Sequence, residues 1–245
     1  MLKFKRKTYF SLILFLTIFT FSIYLLLYQN NPVSNYYNNF SNSFFKLEKL
    51  KLDGRVRSNK TKILSSLSLE LNSPILNINL EKIKRNILSV PWIKSAKISR
   101  KLPNEIHIFI EEYEPAAIWE YKNEVLILDR DGYHIEKILK KDTYTNLLFI
   151  YGNEADLNLS NFLNALNDYP SLRERIDYAT FIGKRRWDLY FKEGVLIKLP
   201  MGDVNDALLE LDQHLKDYNL IEKGHKKIDL RIKGEISTDR IFRKS

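Results

Sequence analysis

Seven side chains invite a chemical reading: His107, His134, His214 and His225, and the carboxylates of Glu111, Glu112 and Glu114. The histidines are scattered through the chain without metal-ligand spacing, and none belongs to an HExxH-type arrangement, so no metal site is indicated. A carboxylate pair flanking a sugar linkage would cleave glycans. Adjacent strand residues, however, point to opposite faces and cannot jointly flank one bond. The acidic cluster therefore reads as strand-end charges pairing with nearby Lys or Arg. There is no G-x-S-x-G elbow, no P-loop, and no S-x-x-K accompanied by K-T-G, so acyl transfer and phosphate binding lack their machinery. The sequence holds no cysteine, which removes thiol chemistry and leaves the fold to rely on packing. No catalytic residue, cofactor or small-molecule substrate is predicted, and function must lie in surfaces.

The elements around the acidic cluster are sharply patterned. Leu80, Ile83, Ile87 and Leu88 recur at helical spacing behind Asn79, a good N-cap, and the helix must stop before Pro91. Trp92 supplies an apolar anchor at the corner. Ile93, Ala96 and Ile98 then lead through Arg100 and Lys101 to the turn dipeptide Pro103-Asn104. Beyond it Ile106, Ile108 and Ile110 alternate with His107, Phe109 and Glu111, which is the period of a hairpin with one buried face. Upstream, Leu47, Leu50 and Leu52 form a strand-like run ending at Asp53-Gly54. Ser58 or Asn59 caps a helix presenting Ile63, Leu64 and Leu67. The order is strand, helix, helix, strand, strand.

From Ala116 the pattern changes to repeated hairpins. Ala117 to Tyr121, Val125 to Leu128 and Tyr133 to Ile138 make a meander with turns at Lys122-Asn123 and Asp131-Gly132, and Leu147 to Tyr151 adds a short strand. Leu157 to Leu166 reads as a helix. Ile176 to Gly183, Trp187 to Phe191 and Val195 to Leu199 are further strands, the last two joined through Gly194. Asp203 caps the clearest helix, with Val204, Ala207, Leu208, Leu211 and Leu215 as a core stripe. Lys226 to Ile232 alternates once more, and past Lys233-Gly234 the period is lost and the chain is expected to fray.

The chain is 44% apolar with a formal charge of +9, which excludes a wholly disordered protein. Lys3, Lys5, Arg6 and Lys7 precede an uncharged apolar run from Tyr9 to Tyr28, whose twenty residues would rise about 30 Å as a helix, the thickness of a bilayer's hydrocarbon core. A cleaved signal peptide is the competing reading, but the run is long for one and no small-x-small site follows. The basic cluster predicts a cytoplasmic N-terminus and export of the remainder. Gln29 to Ser43, Asn-rich and poor in aliphatics, is either a spacer or a loosely helical extension of the span. The excess of five basic residues in the exported part reads as modest and dispersed, and no basic face interleaved with stacking aromatics suggests nucleic acid. The basic C-terminal twenty residues read first as a solvated tail, with an acidic partner there as the alternative.

The run Val90-Pro91-Trp92-Ile93, Ala96, Ile98, Arg100, Leu102-Pro103, Ile106, Ile108, Glu111-Glu112, Pro115, Ala117 and Trp119 resembles the POTRA (polypeptide-transport-associated) segment of the bacterial FtsQ/DivIB cell-division family. Leu102 stands where that family often has Trp, and Tyr113 where Arg is common. Leu52-Asp53-Gly54 is similar to its opening element, Ile127-Leu128-Asp129 and Gly132 to its "lvD..G", Arg185-Arg186-Trp187-Asp188-Leu189 through Gly194 to Leu199-Pro200 to its "rRWdl.l.nG..v.LP", and Ile228-Asp229-Leu230-Arg231 to its "vDLR". The signature positions Gly54, Pro91, Trp92, Pro103, Pro115, Trp119, Gly132 and Trp187 look structural.

The resemblance implies an α+β chain in six parts: a cytoplasmic tail (1–8), a transmembrane helix (9–28), a periplasmic linker (29–44), a β-α-α-β-β POTRA domain (45–115), an antiparallel β-rich domain with packed helices (116–232) and a flexible tail (233–245). It implies a non-catalytic, single-pass protein of the cell inner membrane, concentrated at the division septum. Its partners would be FtsB- and FtsL-type proteins and other divisome components. The strand Lys226 to Ile232 is expected to leave an open edge that accepts a partner strand, making Lys227, Asp229, Arg231 and Ile232 the candidate contacts; otherwise they simply complete the sheet. Two other readings remain: a membrane-anchored cell-wall hydrolase or transferase, which needs a concave site with convergent polar groups, and a POTRA-containing outer-membrane assembly factor, which needs POTRA repeats and a barrel.

Overall fold

The computed structural model describes residues 2–29, 44–139, 144, 146–232 and 234–239. The chain divides into two compact units, one comprising Met1–Arg55, Asn59–Ile87 and Ala96–Ile110, the other Val56–Ser58, Leu88–Ser95 and Glu111–Ser245. Helix α1 covers Leu2–Gln29. Its side chains are described over 13–25 and at 27 only, and among the described residues no helix is long and apolar enough to cross a membrane.

The first unit follows the expected order. Strand β1 (Lys49–Asp53) leads to helix α2 (Lys60–Leu67), a single 3-10 turn (Ile75–Asn77), helix α3 (Leu80–Leu88), and the hairpin strands β2 (Ile93–Lys101) and β3 (Glu105–Glu112). The sheet order is β1-β3-β2, with β1 parallel to β3 so that Lys49 faces Glu105 and Asp53 faces Phe109. Both predicted caps form: the Asn59 side chain accepts from the Lys62 N–H at 3.1 Å and Asn79 from the Lys82 N–H at 3.0 Å. Alternation decides which face of β3 is apolar: Ile106, Ile108 and Ile110 are buried with Ile63, Leu67, Ile83 and Ile87, whereas Phe109 stays exposed. Each such isoleucine contributes about 1.5–3 kcal/mol of burial. Leu88 is 40% exposed and does not join the helix's buried face.

Gly54 ends β1 in a conformation open to few other residues, with φ of +87°. A Cβ there would lie 1.9 Å from the Ile110 carbonyl oxygen. Both the backbone angle and the close approach exclude a side chain.

The second unit carries a nine-stranded sheet. Its strands are β4 (Pro115–Tyr121), β5 (Glu124–Asp129), β6 (His134–Lys137), β7 (Leu148–Tyr151), β8 (Ile176–Ile182), β9 (Arg186–Phe191), β10 (Leu196–Lys198), β11 (Lys227–Asp229) and β12 (Ser237–Thr238), in the spatial order β12-β11-β10-β9-β8-β7-β4-β5-β6. The sheet is mixed, correcting the antiparallel expectation: β7 runs parallel to β4 and to β8, and β11 parallel to β10. Parallel neighbours cannot be joined by a tight turn. Helices α4 (Leu159–Asn167) and α5 (Pro170–Arg175) cross from β7 to β8, and α6 (Val204–Tyr218) crosses from β10 to β11.

The crossover helices bury the core. Phe162 of α4 stacks on Trp187 of β9 with centroids 4.3 Å apart, and Leu208 and Leu211 of α6 join Leu189, Ile197 and Ile228 in the same cluster. Asp203 caps α6 as its position predicts, accepting from the N–H groups of Asn205 and Asp206. A second, smaller cluster joins Trp92 to Ile127 and Ile135. Trp92 has φ of +77°, a rare conformation for a side chain of its size. It is held there by a Tyr113 N–H to its carbonyl at 2.8 Å and by its indole N–H to Glu136 Oε2 at 2.6 Å.

Glu112 does not pair with Lys or Arg as its position at a strand end suggested. Its carboxylate accepts the backbone N–H groups of Val56, Arg57 and Ser58 at 3.0, 2.7 and 3.0 Å, and also the Ser58 hydroxyl. Burial works to raise its pKa, but the bond from the Ser58 hydroxyl and those from the three amides outweigh it and hold the carboxyl below its ordinary value of 4.5.

Two variants test these constraints. Gly54→Ala is expected to lower unfolding stability by about 2–4 kcal/mol in urea titrations. Glu112→Gln replaces an acceptor of four donors with an amide that presents its own donors, and should cost about 1 kcal/mol at neutral pH. Because the folded pKa is lowered, this contribution is complete above pH 4.5 and is lost as the pH falls through the folded value. The urea midpoint of the wild type should therefore fall more steeply than that of Glu112→Gln between about pH 6 and about pH 3; parallel acid limbs would show that the carboxylate is not the anchor.

Candidate functional site

The four candidate contact residues lie at one end of the large sheet, but not on an open strand. Strand β11 spans Lys227–Asp229 alone and sits between two neighbours. On one side Leu196, Ile197 and Lys198 face Lys227, Ile228 and Asp229; on the other, Ile228 faces Thr238 and Asp229 faces Ser237. The edge is therefore β12. Of the tail expected to fray past Lys233-Gly234, residues 234–239 are tied back by the Gly234 N–H to Glu210 Oε1 at 2.9 Å and by the Lys226 N–H to the Asp239 carboxylate at 3.1 Å, and the rest of that tail lies outside the described residues. Leu230, buried, still donates its N–H to the Lys198 carbonyl at 2.9 Å, so pairing with β10 outlasts the named strand by one residue.

Asp229, Arg231 and Ile232 converge on a shallow pocket that they line together with Glu235, Ile236 and Ser237. Lys227 is not among its lining residues. Arg231 folds back over the strand end and grips Asp229 with both arms of its guanidinium, Nε to Oδ1 and Nη2 to Oδ2, each at 2.8 Å. That hydrogen-bonded pair, together with the Arg231 amide and the nearby Lys198, overcomes burial and holds the Asp229 carboxyl below its usual range. Ile232 is 64% exposed beside this ion pair, so the pocket offers an exposed apolar side chain next to a fixed charge pair.

The register extends this into a charged row that sequence reasoning missed. Asp229 faces Lys198, and Lys198 faces Asp188 on the next strand, whose carboxylate in turn takes the Arg186 Nε at 3.0 Å. The residue types were visible, but only the parallel pairing of β10 with β11 brings them into line. The structural signature positions are spread elsewhere. Trp119 donates its indole N–H to the Gly152 carbonyl at 2.9 Å, Gly132 occupies the β5–β6 turn with φ of +83°, Pro115 sits at a register shift at the start of β4, Pro103 in the β2–β3 turn and Pro91 at the corner before β2.

The potentially reactive groups do not gather. Each histidine lies against a carboxylate, at 2.8 Å for His107 and Asp53, 2.9 Å for His134 and Asp156, 3.6 Å for His214 and Glu210, and 3.5 Å for His225 and Asp239. Only the third pair, at i and i+4 of α6, was readable from spacing. The four pairs occupy separate places, and among the described residues no group of three or more His, Cys, Asp or Glu could hold a metal ion. A wider cleft runs between α4, α6 and the Lys184–Trp187 turn, bordered by Asn158, Asn161, Arg185 and Asp203. The Asp203 carboxylate there is engaged in capping α6.

Comparison with known proteins agrees with this architecture. Residues 45–113 match the POTRA domain of FtsQ type, and residues 117–231 match the C-terminal domain of the cell division protein FtsQ/DivIB. The chain is 32% identical over 225 residues to the cell division protein FtsQ of Rickettsia felis, covering 92% of this chain and 84% of that one. It is 35% identical over 202 residues to FtsQ of Rickettsia bellii, with 82% and 75% covered, and 31% identical over 196 residues to FtsQ of Caulobacter vibrioides, with 79% and 64% covered. A POTRA-type domain followed by a β-rich domain, matched along most of its length by division proteins, places the chain in the FtsQ/DivIB family of bacterial cell division proteins.

Proposed function

We propose that this chain is a non-catalytic scaffold of the division machinery, anchored in the cell inner membrane by residues 9–28 with its N-terminus in the cytoplasm and both folded units in the periplasm. The uncharged run from Tyr9 to Tyr28 behind Lys3, Lys5, Arg6 and Lys7 supports the span and its orientation. At the septum the protein holds an FtsB/FtsL-type complex and so links early division proteins to septal peptidoglycan synthesis.

The observation that carries the binding mode is the far end of the nine-stranded sheet. Its last strand, β12, is two residues long, and beside it Asp229, Arg231 and Ile232 form a pocket that joins a fixed ion pair to an exposed isoleucine. A partner segment adding a strand along β12 gains main-chain hydrogen bonds, and the pocket selects its side chains. In this reading the binding edge is β12, one strand outward of the one expected from sequence, and Asp229, Arg231 and Ile232 are the proposed contacts beside it.

Binding of FtsB to the full-length protein tests this. Ile232→Glu and Arg231→Glu should each weaken affinity at least tenfold, about 1.4 kcal/mol, with an unchanged thermal midpoint for the first. Deletion of Lys226 to Ser245 should abolish binding, although it also removes the buried Ile228 and Leu230. Affinity unchanged in both point variants would eliminate the β12 edge as the binding site. In cells, a fluorescent fusion should reach midcell and depletion should produce filaments; a uniformly distributed fusion would contradict the septal role.

A further inference from the structure

The formal charge of this chain is segregated. Residues 44–110 hold fourteen Lys and Arg against five Asp and Glu, a net +9, whereas residues 111–245 hold twenty-one against twenty-five, a net −4. The modest excess of the exported part is therefore a balance between opposite halves. Lys51 of the first unit pairs with Asp53 at 3.1 Å. In the second unit Lys137, Arg175, Lys184, Arg186, Lys216 and Arg231 each pair with a carboxylate. Among the described residues Lys60, Lys82, Lys84 and Arg85 of the first unit enter no salt bridge. Concentrating like charge on a small domain opposes its compactness unless an anionic partner offsets it.

The two faces of the first unit are not equivalent. On the open face of the sheet, Lys49, Lys51, Lys97 and Lys101 alternate with Asp53, Glu105 and Glu111. The helix layer is more one-sided. Ile63 and Leu67 point α2 inward and Ile83 and Ile87 do the same for α3, which leaves Lys60, Lys62, Lys82, Lys84 and Arg85 exposed with only Glu81 among them. The helices are joined by the Asn86 side-chain amide, which donates to the Ser66 carbonyl at 3.0 Å. Lys82 lies one turn before Asn86 and Lys62 one turn before Ser66, so both flank this seam. Leu64 of α2 and Leu76 of the 3-10 turn between the helices are 41% and 42% exposed. A cationic helical face that also shows leucines suits an anionic bilayer surface.

We infer that the α2–α3 face docks on anionic phospholipid headgroups of the membrane in which residues 9–28 are anchored. The inference rests on the proposed anchor for one step, proximity. Fifteen residues, 29–43, lie in sequence between the apolar run and Phe44, and a chain of that length reaches at most about 50 Å. Headgroups are thereby present at high effective concentration, and weak contacts suffice. The bilayer is favoured over an acidic polypeptide because the face is helical and shows exposed leucine as well as cations, and because a tether of this length already brings it to lipid.

The absence of native cysteine makes the test clean. The full-length chain, with a dye at Ser65→Cys on the exposed side of α2, is incorporated into lipid nanodiscs carrying an acceptor on the headgroups. Co-elution with the disc is scored first, so a failed anchor is seen separately and overturns the proximity step itself. In incorporated protein, energy transfer should be high with phosphatidylglycerol, low with phosphatidylcholine alone, and reduced at about 1 M salt, where the screening length is about 3 Å. Each of Lys60→Gln, Lys82→Gln and Arg85→Gln should lower the docking constant about fivefold, and the combined variant should behave in phosphatidylglycerol discs as the wild type does in phosphatidylcholine. Thermal midpoints should be unchanged, since the residues are exposed. Energy transfer independent of lipid charge, or high transfer only after an acidic polypeptide is added, would overturn docking on lipid.

Discussion

Two parallel strands cannot be connected by a short turn, and this requirement organises the second unit. Because β7 and β8 are parallel, the chain between them must leave the sheet, and it returns as α4 and α5; because β10 and β11 are parallel, α6 must lie between them. These helices carry Phe162, Leu208 and Leu211 onto the sheet, so the connection that the topology demands also supplies the core. The same crossover brings the chain back to the far side of β10, where only short strands remain. The place of β12 at the end of the strand order is thus a consequence of the sheet's winding.

Hydrogen bonds to single carboxylates complete what packing leaves open. Glu112 gathers the amides of residues 56–58, Asp129 Oδ1 accepts from the N–H groups of Asp131 and Tyr133 at 2.9 and 2.7 Å, and Asp203 caps α6. In each case a negative charge meets converging backbone N–H groups, an arrangement that needs no cation. The second unit's acidic excess is therefore not all surface charge. Some of it shapes turns and helix ends.

Local pattern made much of this legible. The β-α-α-β-β order, the caps Asn59, Asn79 and Asp203, the burial of Ile106, Ile108 and Ile110, and the turn at Gly132 all follow from residues a few positions apart. What escaped the sequence depends on distant partners. Glu112 meets residues 56–58 across more than fifty positions, and nothing beside Glu112 announces an amide nest. Hairpin-like spacing did not distinguish parallel from antiparallel neighbours, so the charged row from Arg186 through Asp188 and Lys198 to Asp229 stayed hidden until register was known. Strand β12 was missed because two residues, Ser237 and Thr238, carry no period. Charge segregation was available from counting but vanished in the total.

That segregation separates two uses of a charged side chain. In the second unit, Arg231 is committed: its guanidinium is closed on Asp229, which presets its shape and leaves no flexible arm to be ordered by the proposed binding. On the helix face of the first unit, Lys82, Lys84 and Arg85 are exposed and enter no salt bridge among the described residues. Such a surface gives little geometric selectivity, but it responds to the sign and density of charge opposite it and weakens steeply with salt. The paired charges suit recognition of one segment. The unpaired ones suit a diffuse anionic surface, where the location of any single phosphate is immaterial.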